Sequence, residues 1–198
     1  MRYYLAIYLT ALISYGSYSQ NKEFVLDTIY NPAIGESKNI ALIYFGGSEG
    51  GLPTWEDMNF QRKELPKMGI ATLGVAYFGS DNTPKSLKKL PLEYWKEVIE
   101  KFTDRPEIKG KKIVIDGISK GAELALLMGS LLEGINGVIA KAPSHVSWQG
   151  ITWENVSSWT YDNKEIPFVP YYKDYNYESI ENYEYLMSYT LALTQKKK

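Results

Sequence analysis

Residues 112–128, KIVIDGISKGAELALLM, decide how this chain is read. The apolar run Lys112 to Ile115 predicts a strand buried on both faces. From Lys120 onward, Leu124, Leu127, Met128 and Leu131 recur at helical spacing, which predicts a helix over 120–132. Between them stands Gly117-Ile118-Ser119-Lys120-Gly121, a G-x-S-x-G sequence. On a strand-to-helix turn this sharp, residues two before and two after the serine have almost no room for side chains. The hydroxyl of Ser119 is then raised at the end of a sheet. The backbone N–H of Lys120 opens a helix N-terminus, where negative charge is favoured. Ser119 is therefore the candidate nucleophile, and Lys120 a candidate oxyanion donor through its main chain.

The rest of the chain supplies a sheet for this turn. Residues 23–30 and 39–45 read as strands. Met58, Phe60, Leu65 and Met68 give 55–68 helical character, and Gly69 ends it. Ile70 to Ala76 is a further apolar strand, and 84–90 a loop. Pro91 opens a helix, where proline is tolerated. The apolar face of that helix is Leu92, Trp95, Val98, Ile99 and Phe102. Residues 135–142 form one more strand. Alternating strands and helices predict a mostly parallel sheet with helices on both faces, a three-layer α/β fold.

A second glycine-rich stretch, Gly46 to Gly51, follows the 39–45 strand. Its backbone N–H groups can approach a reacting oxygen closely, and Ser48 and Glu49 are the candidate second oxyanion donors. A phosphate cradle is disfavoured. The spacing is neither G-x-G-x-x-G nor a P-loop.

Composition narrows the chemistry. The 198 residues are 44% hydrophobic and 23% charged with net charge -1, so the chain is globular and has no basic excess to attract nucleic acid. It has no Cys and a single His, His145. A thiolate or histidine-rich metal site is thereby excluded, and neither metal nor cofactor is expected. If a histidine serves as base, only His145 is available. Asp116 and Glu123 read as structural carboxylates: one points away or caps a neighbour, and the other bonds nearby backbone.

Residues 1–19 read as a cleavable signal peptide, with Arg2, an apolar stretch from Tyr3 to Tyr15, and Ser17 and Ser19 before Gln20. That stretch is shorter than the roughly 20 residues of a spanning helix. A secreted or periplasmic chain without a stable membrane span is expected. Residues 20–198 then form the folded unit. Within it, 143–198 is a lid-like excursion rich in Trp, Tyr and Asn, ending in a helix near 180–193.

Several stretches together carry a family resemblance: GGSEGG (46–51), AYFG (76–79), LPLEYWKEVIE (90–100), Pro106 to Gly110, GISKGAELALLMGS (117–130) and SHVSWQGI (144–151). Over about residues 23–160 the chain resembles the C-terminal domain of the bile acid–CoA:amino acid N-acyltransferases and acyl-CoA thioesterases. This is a branch of the α/β-hydrolases near dienelactone hydrolase. The resemblance implies acyl transfer from a small-molecule ester or thioester through a covalent acyl-enzyme. Serine at the elbow points to hydrolysis, where cysteine would point to transfer to an amino acid. It also makes Tyr77, Phe78 and His145 candidate pocket-wall residues.

The family's acid and histidine follow two further strands. Here no strand-like run follows residue 142 and no His follows 145, so an incomplete triad, missing last strands, an exposed edge at 135–142 and very low activity are expected. The family's N-terminal β-sandwich has no counterpart between the signal and the first strands. The alternatives are a non-catalytic binding protein on the same fold, and an esterase or peptidase of the dienelactone-hydrolase type.

Overall fold

The computed structural model describes residues 27–171. The leader at 1–19, the helix near 180–193 and the first residues of the 23–30 strand lie outside them. The main sheet has five strands: β1 (Thr28–Asn31), β2 (Ile40–Phe45), β3 (Ala71–Val75), β5 (Lys112–Ile118) and β6 (Gly137–Lys141), in the order β1-β3-β2-β5-β6. All neighbours are parallel except β1, which runs antiparallel to β3.

Alternation along β2 and β5 sorts the two faces. Ile43, Phe45, Ile113 and Ile115 join a large cluster with Trp95, Ile99, Phe102, Leu124 and Met128. These last residues come from α2 (Glu93–Thr103) and α3 (Lys120–Leu131). Leu42 and Tyr44 face the opposite way and pack on Met58, Leu65 and Val114. The second layer there is irregular: a 3₁₀ turn at Glu56–Met58, a π-helical turn at Phe60–Glu64, and α1 (Leu65–Lys67). Helices on both faces of a parallel sheet give the three-layer α/β arrangement that the alternation of elements predicts.

Three expectations need correction. Pro91 does not open α2. Leu90 and Pro91 form a short strand, β4, and α2 begins at Glu93. β4 pairs with β7 (Trp159–Tyr161) through the N–H groups of Leu90 and Leu92, so the missing N–H of Pro91 is not needed. β5 extends past Ile115 to Ile118, carrying the sheet up to the serine. Strand structure also continues beyond residue 142. β7 and β8 (Lys164–Glu165) form a hairpin, and with β4 they make a small second sheet. Asp162 and Asn163, at φ 51° and 57°, supply the left-handed two-residue turn a hairpin of this twist requires.

β6 is the edge of the main sheet among the described residues. Of the aromatic residues read into the 143–198 excursion, Trp159 is fully buried in the core, Trp148 stacks on Tyr171 at 5.5 Å, and Trp153 is exposed.

Candidate active site at the elbow

β2 and β5 are neighbours in register, Phe45 opposite Gly117. Parallel strands leave the sheet at the same edge, so the loop after β2 and the turn after β5 meet there. Ser119 occupies that turn at φ 51°, ψ -114° and is exposed. A non-glycine residue held in this region carries backbone strain, which persists only when its surroundings enforce it.

The enforcement is visible. The Ser119 N–H donates to the carbonyl of Lys141 on β6 at 2.9 Å. The Ser119 carbonyl accepts the N–H groups of Ala122 and Glu123 at 3.0 and 3.1 Å. A Cβ on Gly117 would stand 2.1 Å from the Gly121 carbonyl oxygen, and one on Gly121 would stand 2.1 Å from that of Gly46. Both flanking positions of the G-x-S-x-G sequence therefore admit only glycine.

The glycine loop lies against the serine. A Cβ on Gly47 would be 3.4 Å from Ser119 Cβ. The loop is pinned from below by Tyr77, whose hydroxyl donates to the Gly47 carbonyl at 2.6 Å with the Gly46 carbonyl at 3.1 Å. Burial, reinforced by the nearby carboxylates of Glu49 and Glu123, pushes that phenol well above its ordinary pKa, so it stays a donor. Phe78 is buried beside Tyr77, and its carbonyl accepts the N–H of Gly51 at 2.7 Å. Tyr77 and Phe78 thus stand under the loop.

Of the loop's amides, that of Gly47 donates to the Glu49 carboxylate at 2.5 Å. Among the described residues the N–H groups of Ser48, Glu49 and Lys120 meet no protein acceptor. Three unpaired backbone donors beside a raised hydroxyl can receive the negative oxygen of a tetrahedral intermediate.

His145 is exposed and lines a cleft of about 190 Å³ with Glu123, Leu126, Leu127, Ser130, Ser144 and Ser147 on the flank of α3. Among the described residues no hydrogen bond joins it to Ser119. Asp116 is buried on β5, where it accepts Gln61 Nε2–H at 2.7 Å and pairs with Lys141 at 3.0 Å.

Sequence reasoning treated two neighbours of the serine too lightly. The side chains of Lys120 and Glu123 are buried as an ion pair at 2.9 Å. Burial pulls the Lys120 ammonium below its ordinary pKa, against the attraction of Glu123. Counting back along the apolar stripe from Leu127 through Leu124 reaches positions 123 and 120, so the helical period held the signal.

With this geometry in hand, the likeness to known proteins has a structural setting. Residues 90–184 match the family described as BAAT / Acyl-CoA thioester hydrolase C terminal. Mitochondrial acyl-coenzyme A thioesterase 2 of Mus musculus is 35% identical over 117 residues, covering 56% of this chain and 25% of that protein. Acyl-coenzyme A thioesterase 1 of Homo sapiens is 34% identical over 112 residues, covering 54% and 25%. The chain thus spans about a quarter of the length of these relatives. The α/β hydrolase GrgF from Penicillium sp. sh18 superposes with a TM-score of 0.52 at 19% identity, over 63% of this chain and 43% of that one. The stretch that runs from β4 through the elbow into the segment after β6 is therefore similar to the BAAT / acyl-CoA thioester hydrolase C-terminal family, and the sheet that carries it has the fold of an α/β hydrolase.

Proposed function

We propose that this chain is an acyl-transfer hydrolase of the acyl-CoA thioesterase kind, with Ser119 as its nucleophile. The observation that carries the reading is the strained conformation of Ser119, at φ 51°, between two positions closed to any side chain. Strain of this kind marks functional turns. It comes with an exposed hydroxyl and unpaired amides on both sides of it.

Ser119 Oγ attacks the acyl carbon of an ester or thioester. The carbonyl oxygen becomes negative and is held by the Lys120 N–H and by an N–H of Ser48 or Glu49. The carbon–sulfur or carbon–oxygen bond breaks, the serine proton ends on the leaving group, and an acyl-serine remains. Water then releases the acid and restores the hydroxyl. The similarity to acyl-coenzyme A thioesterases supports a thioester substrate class. Export of the chain rests on the leader-like residues 1–19 and is tested by N-terminal sequencing of the secreted product.

A fluorophosphonate probe tests the nucleophile. The wild type is expected to become labelled at Ser119, and folded Ser119→Ala to remain unlabelled. Turnover of p-nitrophenyl and acyl-CoA esters is expected to be slow, because among the described residues no imidazole hydrogen-bonds to the serine. A folded wild type that resists the probe would overturn the reading in favour of a non-catalytic binding protein.

A further inference from the structure

Directly after the nucleophile comes a lysine whose side chain turns inward. Lys120 and Glu123 form their ion pair with side chains only 5% and 4% exposed. The reaction above uses the backbone of Lys120 but neither charge. A buried pair contributes little net stability, since the cost of desolvating two ions offsets most of their attraction. Its effect must be sought in what else the two groups hold.

Glu123 Oε1 accepts the indole N–H of Trp159 at 2.7 Å and the hydroxyl of Ser147 at 2.9 Å, and Oε2 accepts the N–H of Trp148 at 3.2 Å. Lys120 Nζ donates to the carbonyls of Trp148 and Gln149 at 3.1 and 3.3 Å. The Ser158 hydroxyl reaches the same two carbonyls at 3.0 and 3.2 Å. Every partner outside α3 lies within 147–159, the segment that returns to pair with β4. Trp159 in turn lies against the ring of Tyr77, with centroids 5.8 Å apart, and Tyr77 pins the glycine loop.

We propose that Lys120 and Glu123 are positioning residues that lock the first turn of α3 to the 147–159 segment and so hold Ser119 and the Lys120 N–H in register with Gly46–Gly47. One carboxylate thereby ties three parts of the site together: the elbow helix, the returning segment and, through Trp159 and Tyr77, the oxyanion loop. The consequence for reactivity rests on Ser119 being the nucleophile. The mechanical coupling does not.

The test is amide hydrogen exchange together with probe labelling on the Lys120→Met/Glu123→Gln double variant. It removes both charges but keeps a hydrogen-bond acceptor at 123, so global stability is expected to survive. Peptides covering 117–128 and 147–161 are expected to lose protection together while β2 and β3 keep theirs. Labelling of Ser119 is expected to slow by about tenfold or more, the scale of small misplacements at reacting atoms. If the double variant fails to fold, Trp159→Phe removes the indole donor alone and is expected to loosen the same two peptides together. A purely structural pair would lower the unfolding midpoint and leave labelling of the folded fraction at the wild-type rate. That result, or loosening of 147–161 with the elbow peptide unchanged, overturns the proposal. If the wild-type serine resists the probe while the two peptides still loosen together, the functional reading falls and the coupling stands.

Discussion

The α-carbon of Gly121 lies so close to the carbonyl of Gly46 that a methyl group there would stand 2.1 Å from its oxygen. The elbow and the glycine loop thus touch backbone to backbone. Gly121→Ala must push them apart, because neither side has a flexible side chain to yield. Overpacking of this kind costs about 1–3 kcal/mol or more. A urea titration is expected to show that loss, and the folded fraction is expected to label far more slowly. Wild-type labelling in a folded Gly121→Ala protein would mean that this close approach has no bearing on the site.

Tyr77 supports the same loop from the sheet side. Tyr77→Phe keeps the ring packing and deletes the hydroxyl that reaches the Gly47 carbonyl at 2.6 Å. A buried carbonyl left without its donor costs about 1–3 kcal/mol. Denaturant unfolding is expected to register that loss, and loosening of Gly47 is expected to reduce the probe rate as well. An unchanged midpoint would show that another donor replaces the phenol.

Glu49 places a carboxylate at the Gly47 N–H, on the loop that faces Ser119. In the proposed reaction an anion there opposes the negative charge that would develop on a bound acyl oxygen, since like charges in a partly shielded site repel more strongly than in water. Glu49→Gln removes the charge and keeps an acceptor for Gly47. Labelling of Ser119 is expected to speed up several-fold, with a weaker dependence on ionic strength than in the wild type. A slower rate in Glu49→Gln would instead make the carboxylate a support of the loop.

The parts of this site that could be read from the sequence are those fixed by local geometry. G-x-S-x-G between an apolar strand and an apolar helix leaves the chain few other conformations. The Gly46–Gly51 stretch likewise announces a close backbone approach. Less legible were features that depend on distant partners. Leu90 and Pro91 form a strand only because Trp159 and Thr160 arrive beside them. Lys120 and Glu123 fall on the apolar stripe of α3, but the partners that bury them as a pair, Trp148, Gln149 and Trp159, come from a distant segment. Leu131, counted into the buried stripe, is 36% exposed because it falls on the last turn of α3.

Tyr44 gives the fold a measurable alkaline limit. It is fully buried on β2, and burial pushes its phenol from 10.0 to about 12. Above pH 10 the unfolded chain loses this proton first. The stability contributed by the neutral phenol is therefore complete below pH 10 and is lost as pH rises toward 12. A shift of this size corresponds to about 2–3 kcal/mol at most. Tyr44→Phe cannot titrate, so unfolding free energies measured from pH 9 to 12 are expected to fall less steeply in the variant than in the wild type. Tyr30 and Tyr94, each also raised to about 12 mainly by burial, leave a residual slope in both proteins. Parallel curves for the two would show that Tyr44 ionises as readily in the folded chain as in the unfolded one.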